Sequence, residues 1–152
     1  MRRREFITLL GGAAVAWPLV ARAQQPQRMR LIGVLMGYAE SDRAAQSWLA
    51  AFRGALTKLG WTEGSNLRME LRWSASDADK MRTLAKELVD LRPDAIFGTT
   101  TPVIAALARE TRTISIVFAA VSDPIGSGFA ANLAHPGGNI TGFMANDPSL
   151  GR

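Results

Sequence analysis

The sequence predicts an α/β protein built on a doubly wound parallel sheet of about five strands in the order 2-1-3-4-5. Three observations predict it. Short apolar runs alternate along the chain with longer stretches whose apolar residues recur at helical spacing. Several of those runs, such as Leu31–Met36 and Ile114–Ala120, are too continuously apolar for strands with one wet face, and suit strands buried on both. The punctuation between them is Gly, Pro and Asp, residues that end strands and cap helices. Right-handed crossovers then leave the doubly wound order as the simplest solution.

The first 23 residues stand outside this fold. Arg2, Arg3 and Arg4 form a cationic head, Ile7–Val20 an apolar stretch of 14 residues broken by Gly11, Gly12 and Pro18, and Ala21-Arg22-Ala23 a small-residue cleavage site. This predicts an export signal cut after Ala23 by signal peptidase, and a periplasmic destination. The stretch is short for a bilayer span of roughly 20 residues. Arg3-Arg4-Glu5-Phe6-Ile7 resembles the twin-arginine pattern, which implies the twin-arginine translocase as an export partner. Residues 24–30 read as a flexible, polar lead-in.

Leu31–Met36 is the first strand, ended by Gly37 and Tyr38. Ser41 or Asp42 caps a helix running to about Leu59, with Trp48, Ala51, Phe52, Ala55, Leu56 and Leu59 at helical spacing. Leu67–Trp73 alternates strictly, with Leu67, Met69, Leu71 and Trp73 on one face and Arg68, Glu70 and Arg72 on the other, as in a half-exposed edge strand. Asp77 or Asp79 caps the next helix, whose apolar positions are Met81, Leu84, Leu88 and Leu91. Ala95–Gly98 is a short buried strand. Thr101 follows as an N-cap with Pro102 at the first helical position. Ile114–Ala120 is the fourth strand, Gly128–Leu133 a short helix, and Ile140–Met144 the fifth strand. Residues 31–144 thus form one α/β lobe, and residues 145–152 a polar tail.

Composition removes several function classes. Four arginines against one glutamate in residues 1–23 carry +3 of the net +5, so the remaining chain holds only about +2, with no basic run. A nucleic-acid partner needs a concentrated basic patch, and none is expected. The chain contains no cysteine, which removes disulfides, thiolate metal sites and thiol nucleophiles. His135 is the single histidine and lies in a Pro-Gly-Gly turn. Gly126-Ser127-Gly128 lacks the Lys and Ser/Thr of a phosphate loop, and no nucleophile elbow occurs. The expectation is no catalytic residue, no metal and no cofactor.

Ligands of doubly wound sheets bind at the carboxyl ends of the strands. Three segments meet there: Gly37-Tyr38, Thr99-Thr100-Thr101-Pro102 and Ser122-Asp123-Pro124. A helix starting at Thr101-Pro102 offers amides and a partial positive charge to a carboxylate, with the Thr100 and Thr101 hydroxyls as added donors. Ser122 adds a hydroxyl, and Asp123 can face an ammonium. Tyr38 reads as a ligand platform or as core packing. Thr101 serves equally as a plain helix cap, and Asp123 as a turn carboxylate before Pro124.

The leader MRRREFITLLGGAAVAWPLVARAQQ and the segments AAFRGALTKLGWTEGSNLRMELRW, RPDAIFGTTTPVIAALA and ISIVFAAVSDPIGSGFAANLAHPGGNITGF resemble the ABC-transporter substrate-binding proteins. The resemblance implies a type I periplasmic binding fold of two α/β lobes closing on a small solute, such as an amino acid or related carboxylate, with an ABC permease of the inner membrane as partner. On it, Thr100, Thr101, Ser122 and Asp123 line the first lobe's half of the cleft. The family continues past a segment like Pro148-Ser149-Leu150-Gly151 into a hinge and second lobe. The expectation is therefore a single lobe with half a cleft and weakened binding. Two other readings stay open: a periplasmic sensor or interaction module of the same fold, and a doubly wound hydrolase using Asp123.

Overall fold

The computed structural model describes residues 28–131 and 137–144. The export signal, most of the lead-in, His135 and the tail lie outside them. The elements are β1 (Arg30–Met36), α1 (Arg43–Lys58), β2 (Leu67–Trp73), α2 (Ala78–Asp90), β3 (Ala95–Thr99), α3 (Thr101–Glu110), β4 (Ser115–Val121) and β5 (Ile140–Met144). All neighbouring strands run parallel in the order β2-β1-β3-β4-β5. The predicted class and strand order are those observed.

The two faces of the sheet bury different clusters. Leu35, Ile96, Ile116, Phe118 and Ile140 point to the face covered by α2 and α3, where they meet Met81, Leu88, Ile104 and Leu107. Gly98 belongs to that face: an added Cβ would come within 2.6 Å of Ile104 and 3.1 Å of Leu107, so the missing side chain is what lets α3 sit close. Val34 and Met36 point to the other face, where α1 brings Ala45 and Leu49, with Phe52 stacked on Phe97 of β3 at 4.4 Å between ring centroids.

The inward stripe of α1 is the buried Ala45 and Leu49 with the half-buried Phe52 and Leu56, of which only the last two belong to the series read from the sequence. Of that series Trp48, Ala51, Ala55 and Leu59 are exposed, Trp48 at 50% and Leu59 at 75%. The apolar arc of the helix is wider than the strip it buries. Leu91, expected in the core at the end of α2, is also exposed; Ala85 takes the inward place. Residues 124–128 form turns and Gly128–Ala131 are not helical, which corrects the short helix predicted from Gly128 for the part that is described. Pro124 O accepts from Phe129 N at 2.9 Å, closing a loop where a helix was expected.

Candidate functional site

The strand order reverses between β1 and β3, so the chain leaves their carboxyl ends toward opposite faces and opens a crevice there. Gly37 follows β1 and Thr100 follows β3 at that point. Thr99, almost fully buried, accepts a hydrogen bond from Gly37 N on its Oγ1 at 3.0 Å, tying the two ends together. A Cβ on Gly37 would lie 2.5 Å from Thr100 Oγ1 and 2.9 Å from its Cγ2. Glycine is needed there because the Thr100 side chain fills the space a Cβ would take.

Thr100 is unusual in three ways. Its φ of 73° and ψ of 148° lie in a region that β-branched residues avoid. Its Oγ1 is buried with no hydrogen-bond partner. It is the N-cap of α3 but does not cap it with its side chain. The other two helices among the described residues are capped in the ordinary way: Asp42 accepts from Ala45 N at 2.9 Å and Asp77 from Lys80 N at 2.9 Å. This corrects the N-cap read at Thr101, which is the first residue of α3. Strand β3 runs one residue further than predicted, and the sharp turn into the helix falls on Thr100.

Among the described residues, four of the five non-glycine residues with positive φ lie at this end of the sheet: Ala75 and Ser76 after β2, Thr100 after β3, and Ala120 in the bulge near the end of β4. The fifth, Arg92, lies at the other end, between α2 and β3. Backbone strain concentrates where a fold builds a site, because only there is it worth holding. Thr100 N donates to Ala119 O at 3.3 Å, which links two of these points.

Residues that the sequence reading passed over brace the first loop. Ser74 donates through N and Oγ to Met36 O at 3.0 and 3.1 Å. Ala75 N reaches Tyr38 O at 3.1 Å, and Ser76 N and Oγ reach Gly37 O at 2.9 and 3.1 Å. The carboxyl end of β2 is thus sewn over that of β1. The available signal was a pair of serines directly after an alternating strand. Tyr38 is half-buried, packs against the α1-side cluster and meets Trp48 edge-on at 5.4 Å, so packing occupies much of its ring.

Ser122 is exposed beyond β4. Asp123 turns into its own loop: Oδ1 accepts from Gly126 N at 2.7 Å and its backbone carbonyl from Ser127 N at 3.1 Å. Gly126 has no Cβ to clash with that carboxylate. The geometry is that of the turn carboxylate, one of the two readings left open. The structure therefore brings together Gly37, Thr99, Thr100 and Thr101, with Tyr38 alongside them, and leaves Asp123 serving its loop.

The carboxylates with shifted ionisation lie elsewhere. At the amino end of the sheet, the Leu31 N–H at 2.9 Å and the Arg30 guanidinium at 2.8 Å hold Asp94 below the usual carboxylate range. On β2, Arg68 and then Arg72 hold Glu70 low in the same way. A concavity of about 370 Å³ near Arg28, Arg30 and Trp61 lies at that amino end. Its Arg30 is already engaged by Asp94, and no strand delivers its carboxyl end there.

Known proteins resemble this chain in sequence and in fold. It is 27% identical over 129 residues to the tyrosine-binding protein of Clostridioides difficile, covering 82% of this chain and 36% of that protein. A Streptococcus pneumoniae ABC domain solved in complex with L-Trp superposes with a TM-score of 0.71 at 28% identity, over 76% of this chain and 38% of that one. A conserved domain protein of Vibrio cholerae superposes with a TM-score of 0.74 at 29% identity, over 80% and 40%. The chain therefore spans well under half the length of these relatives. With the family model matching residues 41–150, the chain belongs to the ABC transporter substrate binding protein family.

Proposed function

We propose that this chain supplies one ligand-binding lobe of an exported solute receptor for an ABC importer of the inner membrane, and that its solute is an amino acid, with aromatic amino acids the first candidates. The observation that carries the reading is Thr100. A helix start left without a side-chain cap and a buried hydroxyl without a partner meet at the switch point of the sheet. A ligand carboxylate placed there would receive the first-turn amides of α3 and the Thr100 and Thr101 hydroxyls. Pro102 withholds its own amide, so the hydroxyls matter more than in most such sites. Tyr38 and Ser122 would border the solute. Asp123 acts by shaping the loop beyond β4. Binding is non-covalent throughout. The class of solute rests on relatives named for tyrosine and solved with L-Trp.

One lobe encloses only part of a small molecule, and good sites enclose most of its surface. The affinity expected of this chain alone is in the millimolar range, on the order of 4 kcal/mol of binding free energy. Backbone amide shifts followed by NMR while L-tyrosine, L-tryptophan and an acidic or basic amino acid are titrated in turn provide the test. Saturating shifts at Gly37, Tyr38 and Thr100–Val103 are expected with the aromatic pair. Shifts confined to the amino end, around Trp61 and Arg30, would sink the proposal. Export is tested separately: the mass of the protein recovered from the periplasm should start at Gln24, and recovery only from the cytoplasm refutes that part.

A further inference from the structure

Strand β2 is one edge of the sheet; β5, after which the described chain stops, is the opposite edge. Along a strand the N–H and C=O of one residue share a side, and successive residues alternate. Asn66 O accepts from Arg30 N at 2.9 Å and Ser74 N donates to Met36 O at 3.0 Å, so the even-numbered residues here face β1. The odd-numbered ones face outward. Leu67 is occupied on that side: its N donates to Thr62 O at 3.2 Å and its O accepts from Gly64 N at 2.9 Å. Met69, Leu71 and Trp73 follow, with three donors and three acceptors. Among the described residues only one of these six groups has a partner, Leu71 O, which accepts from the guanidinium of its neighbour Arg72 at 3.0 Å and keeps a second lone pair. Proline and bulges are common means of blunting an edge. Strand β2 has neither, and its register with β1 runs unbroken from Leu67 to Trp73.

We propose that the β2 edges of two copies of this chain pair antiparallel about a two-fold axis at Leu71, joining their five-stranded sheets into one continuous sheet. With Leu71 opposite the partner's Leu71, Met69 falls opposite the partner's Trp73 and Trp73 opposite the partner's Met69. Every outward N–H then meets an outward C=O. Arg72 falls opposite the partner's Glu70, and Glu70 opposite the partner's Arg72, in the pairs whose side chains lie closest. A two-fold contact must be self-complementary, and this edge is so in one register only. Centring on Glu70 sets two glutamates against each other, sets Arg68 against Arg72, and aims Trp73 at the occupied Leu67. Centring on Met69 aims Leu71 at Leu67. Centring on Arg72 opposes two arginines and leaves Met69 unpaired. The ladder also has natural ends. Gly64 covers Leu67 at one, and at the other Ala75, with a φ of 52°, turns the chain back over β1, where its N reaches Tyr38 O. The axis stands perpendicular to the sheet, so the half-buried Met69, Leu71 and Trp73 of both copies share one face and gain cover from each other.

Sedimentation equilibrium of the purified chain should give twice the mass of one copy at about 100 µM. As concentration rises, hydrogen exchange at the Met69, Leu71 and Trp73 amides should slow about tenfold, while Arg68, Glu70 and Arg72, already bonded to β1, stay as they are. Glu70→Arg and Arg72→Glu each set like charges across the edge and should raise the dissociation constant about tenfold with an unchanged circular dichroism spectrum. An equimolar mixture of the two variants should regain the parent's affinity as a heterodimer, because each copy then offers the charge the other needs. The double exchange, Glu70→Arg with Arg72→Glu, keeps both charges on the strand and should dimerise like the parent even where a single variant folds poorly. A monomer at about 100 µM overturns the proposal. So does a dimer whose Met69, Leu71 and Trp73 amides exchange as in the monomer, since another surface is then in use. A mixture that associates no better than either variant alone, or a double exchange that stays monomeric, overturns it as well.

Discussion

Replacing Thr100 should make the protein more stable, although the residue lies deep at the switch point. Two costs are removed in Thr100→Gly. A β-branched residue at φ 73° and ψ 148° carries roughly 1–3 kcal/mol of strain that glycine does not. A buried hydroxyl without a partner costs about 1–3 kcal/mol of desolvation. Against these stand about 0.5–1 kcal/mol of added backbone entropy in the unfolded chain and about 1.5 kcal/mol for the apolar atoms lost from the contact with Gly37. At the middle of these ranges the balance is a gain of about 2 kcal/mol, or roughly 6–10 °C in Tm for a domain of this size. Thr100→Val separates the causes. It keeps the strain and the volume, loses only the hydroxyl, and should gain about 1 kcal/mol. The neighbouring Thr99→Val should do the opposite, because it strips the acceptor from the buried Gly37 N–H, at a cost of about 1–3 kcal/mol. Urea unfolding followed by circular dichroism measures all three. If both Thr100 variants unfold at lower urea than the parent, the hydroxyl has a partner and the turn is relaxed, and the reasoning is wrong. If they are more stable but lose the amide shifts with amino acid, stability has been held back for binding, as functional sites often require.

Gly37→Ala forces a Cβ to within 2.5 Å of Thr100 Oγ1 and should cost about 1–3 kcal/mol, read as a lower urea midpoint with an unchanged slope. Gly142→Ala should be worse and local: its Cβ would overlap the backbone of Phe118, so β5 must leave the sheet, and hydrogen exchange should speed up in 140–144 before anywhere else. Asp94 is held low in the folded state, so its contribution is fully present above the ordinary carboxylate pKa and disappears as pH falls through the lowered value. Asp94→Asn should therefore destabilise by about 1 kcal/mol at pH 7 and flatten the acid limb of the stability curve, which a pH series of urea midpoints checks. Ser74→Ala removes a buried hydroxyl that does have a partner, and should lower stability by about 1 kcal/mol, against the gain expected at Thr100.

The sheet was legible because its strands are either nearly continuous apolar runs, as in Leu31–Met36, or alternate strictly, as in Leu67–Trp73. Leu67–Trp73 and Ile140–Met144 coincide with the strands read from the sequence, and the other three differ by one residue at one or both ends. Strand periodicity cannot slip without moving every side chain to the wrong face. Helix α1 was harder. Its apolar arc runs from Ala51 and Ala44 round to Leu49, and periodicity alone does not say which half meets the sheet; the large Trp48 and Leu59 drew the reading to the half that stays out. At the site, Thr99-Thr100-Thr101 offers three identical side chains in a row. Which one pairs, which caps and which is left unpaired depends on where β3 stops, a single-residue difference that propensity does not resolve. Asp123 was ambiguous because a carboxylate before Pro124 fits both an open cleft and a closed turn; Gly126, whose N–H donates a hydrogen bond to it, decides for the turn. Ser74 and Ser76 act through backbone carbonyls some 38 residues earlier in the chain, contacts that no local pattern reveals.

The position of β1 has a consequence for how the chain comes to be folded. It is the first strand made and the centre of the half-sheet β2-β1-β3, so both its hydrogen-bonding edges stay open until residues far downstream exist. The pairing of Ile32 with Ala95 closes a loop of about 60 residues, which at roughly 5–20 residues per second takes several seconds to synthesise. During that interval Leu31–Met36 has both edges open until Leu67–Trp73 is made, and one edge open from then until Ala95 arrives. It is the segment on which a holding chaperone would act, and the one whose mispairing would be costliest. Synonymous changes that slow translation between Trp73 and Ala95 should lower soluble yield without altering a single contact of the finished protein.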